Sequence, residues 1–445
     1  MKILEGPKGE GYGHEQGGHD SDQRRRPHRR AAEHVQESSG IEVPRRRPEA
    51  GAQPRRLGHV EVPRHRHPQR GAQRGGRQAQ GGVRHRAHGP GRDPAGLLQR
   101  RRTDQGHERR GILASICFPS FPGFAARLFA TDDPDFSIAL VQAYNDWHID
   151  EWCGAYPARF IPMAIPVIWD AEACAAEVRR VSKKGVHALT FTENPAAMGY
   201  PSFHNEYWNP LWKALCDTNT VMNIHIGSSG RLAITAPDAP MDVMITLQPM
   251  NIVQAAADLL WSRPIKEFPD LKIALSEGGT GWIPYFLERA DRTFEMHSTW
   301  THQNFGGKLP SEVFREHFLT CFISDKVGVK LRNMIGIDNI AWEADYPHSD
   351  SMWPGAPEEL WDVLSLNDVP DDEINKITHQ NAMRWYSFDP FTHVPREQAT
   401  VGALRKAAEG HDVSIRALSH HKDTRAGSSF AEFAASAKEL TGNKD

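Results

Sequence analysis

The chain has 445 residues and a formal net charge of −3, and 39 % of its residues are hydrophobic and 24 % are charged. These values are ordinary for a soluble globular protein, and at about 150 residues per domain the length allows one large domain with extensions or two to three smaller domains. Because the sequence has neither a membrane-spanning run nor a signal-peptide core, and because its 5 cysteines lack CxxC spacing, we expect a cytoplasmic protein without a membrane partner, a disulfide framework or a zinc ribbon.

The first 110 residues differ in composition from the rest of the chain. They contain 23 Arg and 2 Lys against 13 acidic residues, whereas the remainder contains 28 basic and 43 acidic residues. All 12 Trp and all 19 Phe follow position 110. Without such side chains the segment cannot offset its conformational entropy by burying a core. We therefore predict that residues 1–110 are non-globular and largely irregular.

Two interpretations of this Arg, Gly, Pro and His-rich segment are open. Basic blocks are typical of arms that bind nucleic acid. The alternative is a translation out of the native reading frame, which the excess of Arg over Lys and the abrupt change of composition at Gly111 favour. We favour the second interpretation, and therefore a nucleic-acid partner is not expected.

From Gly111 onward, short apolar runs alternate with helical patterns. The predicted strands are 112–118, 159–167, 187–191, 221–226, 271–276, 318–324 and 339–344. Predicted helices lie between them, at 135–152, 171–184, 206–217, 250–262, 282–297 and 329–335, and a helix-rich segment follows the last strand. Such alternation is typical of a parallel α/β fold.

The strand count indicates a (β/α)8 TIM barrel over residues 111–394 that lacks its first strand. Seven strand–helix units are visible, whereas the barrel needs eight, and the missing unit falls where the reading frame is in question. Residues 395–445 form a predicted helical tail that packs on the barrel or on a second copy in a homo-oligomer.

Three strand ends bear side chains that bind metals. His225 ends the strand 221–226, Glu277 follows 271–276, and Asp345 follows 339–344. Active sites of TIM barrels lie at the carboxyl ends of the strands, and imidazole and carboxylate are ligands of Zn and Mn. We therefore expect a divalent metal ion, Zn or Mn. Taken singly, each residue also has a structural interpretation: His225 as a hydrogen-bonded strand residue, Glu277 as a helix cap and Asp345 as a turn residue.

Several segments resemble one protein family. HIGSSG, LSEGGTGWIPYFLERAD, ITHQNAMRWYSFDP and the long run that ends in DYPHSDSMWP are similar to the amidohydrolase-related (amidohydrolase 2) family. This family of metal-dependent TIM-barrel hydrolases includes the branch of aminocarboxymuconate-semialdehyde decarboxylase. The resemblance covers about residues 111–400.

The resemblance implies roles for the same three residues. His225 matches the family's metal-binding His after the fifth strand, and Asp345 matches the Asp after the eighth strand that binds metal and transfers protons. Glu277 stands where many relatives have a His. The family's first strand normally ends in a His-x-His, Asp-x-His or Glu-x-His pair, which supplies two more metal ligands. His65-Arg66-His67 has this spacing, but no apolar strand precedes it.

Four further residues are candidates for substrate binding. His204 and Trp208 lie in the loop after the strand 187–191, Glu193 follows that strand directly, and His348 lies beside Asp345.

The sequence therefore predicts a metal-dependent hydrolase with Asp345 and His225 as catalytic residues, acting on a small organic molecule such as an aromatic or unsaturated acid. A non-oxidative decarboxylase on the same scaffold is the alternative, because the same ligands serve both reactions. Without a first strand and its two ligands, we expect the chain as written to be a poor enzyme.

Overall fold

Short parallel strands separated by helices build the computed structural model, which describes residues 111–346, 348–352, 355–410 and 429–431. Each of the seven predicted strands is confirmed, in most cases in a shorter form. The strands are β1 Ser115–Ile116, β2 Phe160–Ile161, β3 Ala188–Thr192, β4 Val221–His225, β5 Lys272–Ser276, β6 Phe318–Phe322 and β7 Ile340–Trp342.

Helices connect these strands and extend the chain after β7. They are α1 Pro134–Asp146, α2 Ala171–Ser182, α3 Asn209–Asp217, α4 Met241–Leu247, α5 Met250–Leu260, α6 Arg263–Glu267, α7 Ile283–Thr301, α8 Pro310–His317, α9 Lys326–Lys330, α10 Arg332–Ile335, α11 Ala356–Ser365, α12 Asp371–Asn375, α13 Asn381–Tyr386 and α14 Val401–Ala407. The π-helical segment Trp147–Cys153 continues α1, and a second one, Lys376–Gln380, joins α12 to α13.

The strands follow one another in chain order. β1 pairs with β2, β3 to β7 form one sheet, and every pair of strands is parallel. A parallel bridge between Ala164 and Leu189 connects the segment after β2 with β3. This sequential parallel order is that of a TIM-barrel wall. The first strand expected of a complete barrel, and the predicted irregular segment 1–110, lie outside the described residues. Of the predicted helical tail 395–445, residues 411–428 and 432–445 also lie outside them, and the described part contains α14.

Alternation along the strands separates two apolar layers. In β4, Met222 and Ile224 belong to the large core under the helices, whereas Val221 belongs to the small core inside the barrel. Because side chains of a strand alternate between faces, Asn223 and His225 share the inward face of Val221. The register of this strand therefore directs His225 toward the barrel interior.

Helix α13 closes the end of the barrel opposite His225. Trp385 and Tyr386 join the inner apolar cluster, and the Tyr386 hydroxyl donates a hydrogen bond to Asn223 Oδ1 at 2.5 Å. Asn381 Nδ2 donates to the carbonyls of Ile337 and Ile340, each at 2.8 Å. These bonds fix α13 against the amino-terminal ends of the strands.

Candidate metal centre

His225 lies at the carboxyl end of β4 and is 5 % exposed. Its Nδ1 lies 2.8 Å from the Ile226 carbonyl oxygen; because a carbonyl oxygen only accepts hydrogen bonds, Nδ1 is the donor in this contact and Nε2 is the nitrogen left to face Glu277. Nε2 lies 2.9 Å from Glu277 Oε1. Two atoms with lone pairs at this distance need a proton or a cation between them.

Two aromatic rings enclose the His225 imidazole. Phe124 stacks on it with ring centroids 4.1 Å apart, and Phe118 meets it edge to face at 4.7 Å. Both rings belong to the loop that follows β1. They restrict the imidazole plane, and they exclude water from one side of the site.

Glu277 follows β5 in a left-handed backbone conformation, with φ 60°. Register explains its proximity to His225: the preceding residue, Ser276, pairs with His225 across the β4–β5 ladder. The Glu277 backbone N–H donates to Glu343 Oε1 at 2.9 Å. Non-glycine residues in this region of φ are strained, and such positions are concentrated at functional sites.

Asp345 is also left-handed, with φ 48°. Its side chain is 8 % exposed, and its Oδ1 accepts a hydrogen bond from His348 Nδ1 at 2.7 Å, although His348 itself is 66 % exposed. His348 Nδ1 lies 3.8 Å from Glu277 Oε1. The loop after β7 therefore brings an imidazole and a carboxylate to the end of β5.

The arrangement fits a divalent cation. One ligand atom each from Glu277, Asp345 and His348 lie within 4.8 Å of one another, and His225 Nε2 lies 2.9 Å from Glu277 Oε1. A metal-binding histidine normally donates its second nitrogen to a carbonyl or carboxylate, as His225 Nδ1 does here. Imidazole nitrogens with carboxylate oxygens form a donor set that binds Zn or Mn.

The three carboxyl groups of the site have different proton affinities. Burial raises the pKa of Asp345 to about 7, and the adjacent Glu277 carboxylate adds to the rise. Burial also opposes ionisation of Glu277, but the hydrogen bond and charge of His225 outweigh it and lower the Glu277 pKa. Desolvation and the Glu277 charge hold the Glu343 pKa well above its ordinary value. Glu277 is therefore the most acidic of the three carboxyl groups.

Glu193, a predicted substrate-binding residue, lies beside this site and holds the loop after β4. Its carboxylate accepts hydrogen bonds from Gly227 N at 3.0 Å and from Ser229 Oγ at 2.7 Å. Its own backbone N–H donates to Ser228 Oγ at 2.8 Å. The structure thus accounts for Glu193 through contacts within the fold, and its substrate contact stays a prediction.

Trp208 and His204, which were also expected to bind substrate, likewise make contacts within the fold. Trp208 is fully buried, and its indole N–H donates to the Pro201 carbonyl at 2.8 Å. His204 is half exposed and forms an ion pair with Asp258 of α5 at 2.6 Å. Substrate binding by His204, Trp208 or His348 remains a prediction.

Our sequence analysis missed Phe118, Phe124 and the support that Glu343 gives to Glu277. A signal for the two rings exists, since the aromatic run FPSFPGF directly follows β1. In a TIM barrel, that loop lies at the same end as His225.

Comparison with known proteins places this geometry in a family. The family model described as amidohydrolase matches residues 65–388, which is more than half of the chain. This chain belongs to the amidohydrolase family. The match begins upstream of Gly111, so it includes residues outside the described part. The predicted enzyme class and divalent-metal cofactor are thereby confirmed at the level of the family, whereas the choice between Zn and Mn and the ligand set stay predictions.

Solved structures of amidohydrolases are similar in fold. 5-Carboxyvanillate decarboxylase LigW from Sphingomonas paucimobilis is 20 % identical with a TM-score of 0.52, over 64 % of this chain and 82 % of that one. An amidohydrolase from Mycobacterium avium subsp. paratuberculosis K-10 is 20 % identical with a TM-score of 0.53, over 67 % and 79 %. These similarities in fold, together with the family match, confirm the predicted (β/α)8 TIM-barrel fold. No curated protein matches the chain significantly.

Proposed function

We propose that this amidohydrolase is a metal-dependent hydrolase of small, uncharged carbonyl compounds such as esters and amides. The observation that supports the proposal is the cluster of three carboxyl groups, Glu277, Glu343 and Asp345, with histidines as its charge partners. The charge of this cluster is the observation that favours one reaction class over the other, because fold alone does not determine the reaction.

Decarboxylation requires a substrate carboxylate to enter the site. Recognition of such an anion usually relies on arginine, which binds a carboxylate through two parallel hydrogen bonds. The charges that act on Glu277 and Asp345 come from His225, His348 and the carboxyl groups themselves, and within the described ranges no Lys or Arg forms an ion pair with these carboxyls. With no cation bound, a second unit of negative charge about 4 Å from Glu277 would cost about 4 kcal/mol at an effective dielectric constant of 20, and a bound divalent cation would offset this repulsion. The preference for an uncharged substrate therefore rests on the lack of a guanidinium partner among the described residues of the site.

The residues of the site suit hydrolysis at neutral pH. A divalent cation bound by His225 and Asp345, with Glu277 and His348 as further donors, would polarise a carbonyl and acidify water. Asp345, whose pKa burial raises to about 7 in the metal-free protein, would accept a proton from the attacking water and then donate it to the departing amine or alkoxide. His348, hydrogen-bonded to Asp345, orients that carboxyl group. Phe118 and Phe124 provide an apolar wall beside the reacting atoms.

The experiment compares matched substrates that differ in charge. The full chain, loaded with Mn or Zn, is assayed on neutral aromatic methyl esters and anilides and on the corresponding free acids. We expect hydrolysis of the neutral compounds that stops on chelation with EDTA. Release of CO2 from the free acids, without hydrolysis of the esters, would overturn the proposal in favour of the decarboxylase alternative.

A further inference from the structure

Helix α4 is apolar and has no buried residue. Ile245 on this helix is 56 % exposed, and Met250 just after it is 39 % exposed. Leu232 and Ile234 in the preceding loop are 49 % and 38 % exposed. We call these four side chains the α4 face. Contiguous apolar surface of this kind marks a contact site in a soluble protein.

Hydrogen bonds join the two parts of the α4 face. Gln248 Oε1 accepts from Ala233 N at 3.2 Å, and Asn251 Nδ2 donates to the Arg231 carbonyl at 3.0 Å. The loop that contains Leu232 and Ile234 is thus held against the junction of α4 and α5. The loop and the start of α5 are therefore neighbours at this junction.

The C-terminal segment arrives beside this surface. Ser429 forms an antiparallel bridge with Pro240, Phe430 N donates to the Ala239 carbonyl at 3.1 Å, and Ala431 N donates to the Pro237 carbonyl at 2.9 Å. Pro240 is the residue directly before α4. Ala431 is thus bonded to the segment that leads directly into α4.

The residues after Ala431 lie outside the described part of the chain, but their sequence has the pattern of an amphipathic helix. Apolar residues recur at Phe430, Phe433, Ala434, Ala437 and Leu440, and Glu432, Ser436 and Glu439 fall between them. This spacing of three and four residues gives one apolar stripe. A helix over 430–440 would be about 16 Å long at 1.5 Å per residue, which is enough to cover the seven residues of α4.

We propose that residues 430–440 of this chain dock on the α4 face as an amphipathic helix. The hydrogen bonds at Phe430 and Ala431 already bring the segment to the face, so docking is intramolecular and its effective concentration is of the order of millimolar. A second copy of the chain would have to compete with this tethered segment. The apolar stripe and the α4 face would each lose their exposed surface in one contact.

A lipid surface is the main rival occupant. Residues Met241–Leu260 have the length and composition of a membrane span, with 28 % of the most apolar window buried. The α5 half, however, places Ile252, Ala256 and Leu259 in the core under the strands. The apolar side of α5 is therefore packed within the protein, and of these two helices only α4 has apolar side chains without a buried contact surface.

The test uses hydrogen exchange of the full-length protein over residues 237–251. Phe433→Asp places a charge in the stripe, and Glu432→Ala on the polar side is the matched control. We expect amide exchange over 237–251 to accelerate about tenfold or more in Phe433→Asp, with no change in Glu432→Ala. A chain that ends at Ala431 provides a second variant and should show the same acceleration.

Three results would overturn the proposal. The first is exchange in Phe433→Asp and in the truncated chain equal to that of the wild type. The second is protection of 237–251 that rises with protein concentration together with a dimer mass, which would assign the α4 face to a second copy. The third is protection of this segment by phosphatidylcholine–phosphatidylglycerol vesicles in the wild type, with pelleting abolished by Ile245→Asp, which would assign it to a membrane.

Discussion

Asp345 combines a strained backbone with a raised pKa, and both features bear on catalysis. Asp345→Asn keeps the size of the side chain and removes its ability to accept a proton. We expect turnover of a neutral ester to fall by about 10²–10⁴, the usual range for loss of a general base. Asp217→Asn, on the exposed ion pairs with Arg179 and Lys213, is the control and should retain activity. Unchanged turnover in Asp345→Asn would exclude this residue as the base.

The same carboxyl group makes the stability of the metal-free protein depend on pH. The folded protein retains the Asp345 proton up to about pH 7, whereas the unfolded chain releases it near pH 3.9. Folded protein thus binds more protons between these values, and its stability falls as the pH rises through them. In EDTA we expect Asp345→Asn to have a Tm about 2 °C or more above that of the wild type at pH 8, and a smaller difference at pH 5. Equal differences at both pH values would contradict this.

Phe124 contributes to the site through His225. Phe124→Ala removes the stacked ring, so the imidazole can rotate away from the position in which Nε2 faces Glu277. We expect the affinity for Mn to fall by about tenfold, as for other residues that orient metal ligands. Phe124→Leu retains apolar volume and should lose less. Calorimetric titration with Mn checks the order wild type, Leu, Ala; identical affinities in all three would refute the role.

At the scale of elements, the loop after β4 depends on Glu193. Glu193→Gln replaces one acceptor oxygen by an N–H₂ group, which faces the N–H donors of Gly227 and Ser229 and leaves one buried bond unmade. Such a loss costs about 1–3 kcal/mol, so we expect a lower Tm. Glu206→Gln, on the exposed turn before α3, is the control. If Glu193 binds substrate instead, KM will rise with Tm unchanged.

Elements with a regular apolar period could be predicted from the sequence, and others could not. All seven strands are apolar runs of five to nine residues in the sequence, and amphipathic helices such as α2 and α5 have the expected spacing. Helix α4 has only seven residues, most of them apolar, so its sequence has no polar–apolar period that would reveal it. Helix α8 begins with Leu309 N bonded to the Glu312 carboxylate after a short turn, and its eight residues are too few for a clear pattern.

The candidate site could be predicted in part for the same reason. His225, Glu277 and Asp345 follow apolar strands directly, and parallel strands bring their ends together at one side of the barrel. His348 is exposed, and its approach to Glu277 depends on the left-handed turn at Asp345. The enclosure of His225 by Phe118 and Phe124 depends on the path of a loop, which strand order does not determine.

At the scale of the whole molecule, the predicted loss of the first strand bears on the number of metal ligands. The family match begins at residue 65, but the structure describes the chain from residue 111, so the out-of-frame interpretation stays a prediction. A version of the chain can be given an apolar first strand that ends in a His-x-His pair. We expect this version to retain more Mn or Zn after gel filtration, and to hydrolyse esters faster, than the chain as written. Catalytic metal sites usually need three protein ligands in fixed geometry. Equal metal content and equal turnover would show that residues 1–110 already supply ligands.

The left-handed backbone conformations of Glu277 and Asp345 lower the stability of the folded protein at positions where the side chains are needed for function. Each costs of the order of 1–3 kcal/mol in backbone strain, and glycine would remove that cost. A library selected for resistance to heat alone, without any requirement for metal or turnover, should therefore enrich glycine or asparagine at position 345. The same library selected for ester hydrolysis should retain aspartate there. Divergence of the two populations at this position would measure how much stability the protein gives up to keep a reactive carboxylate.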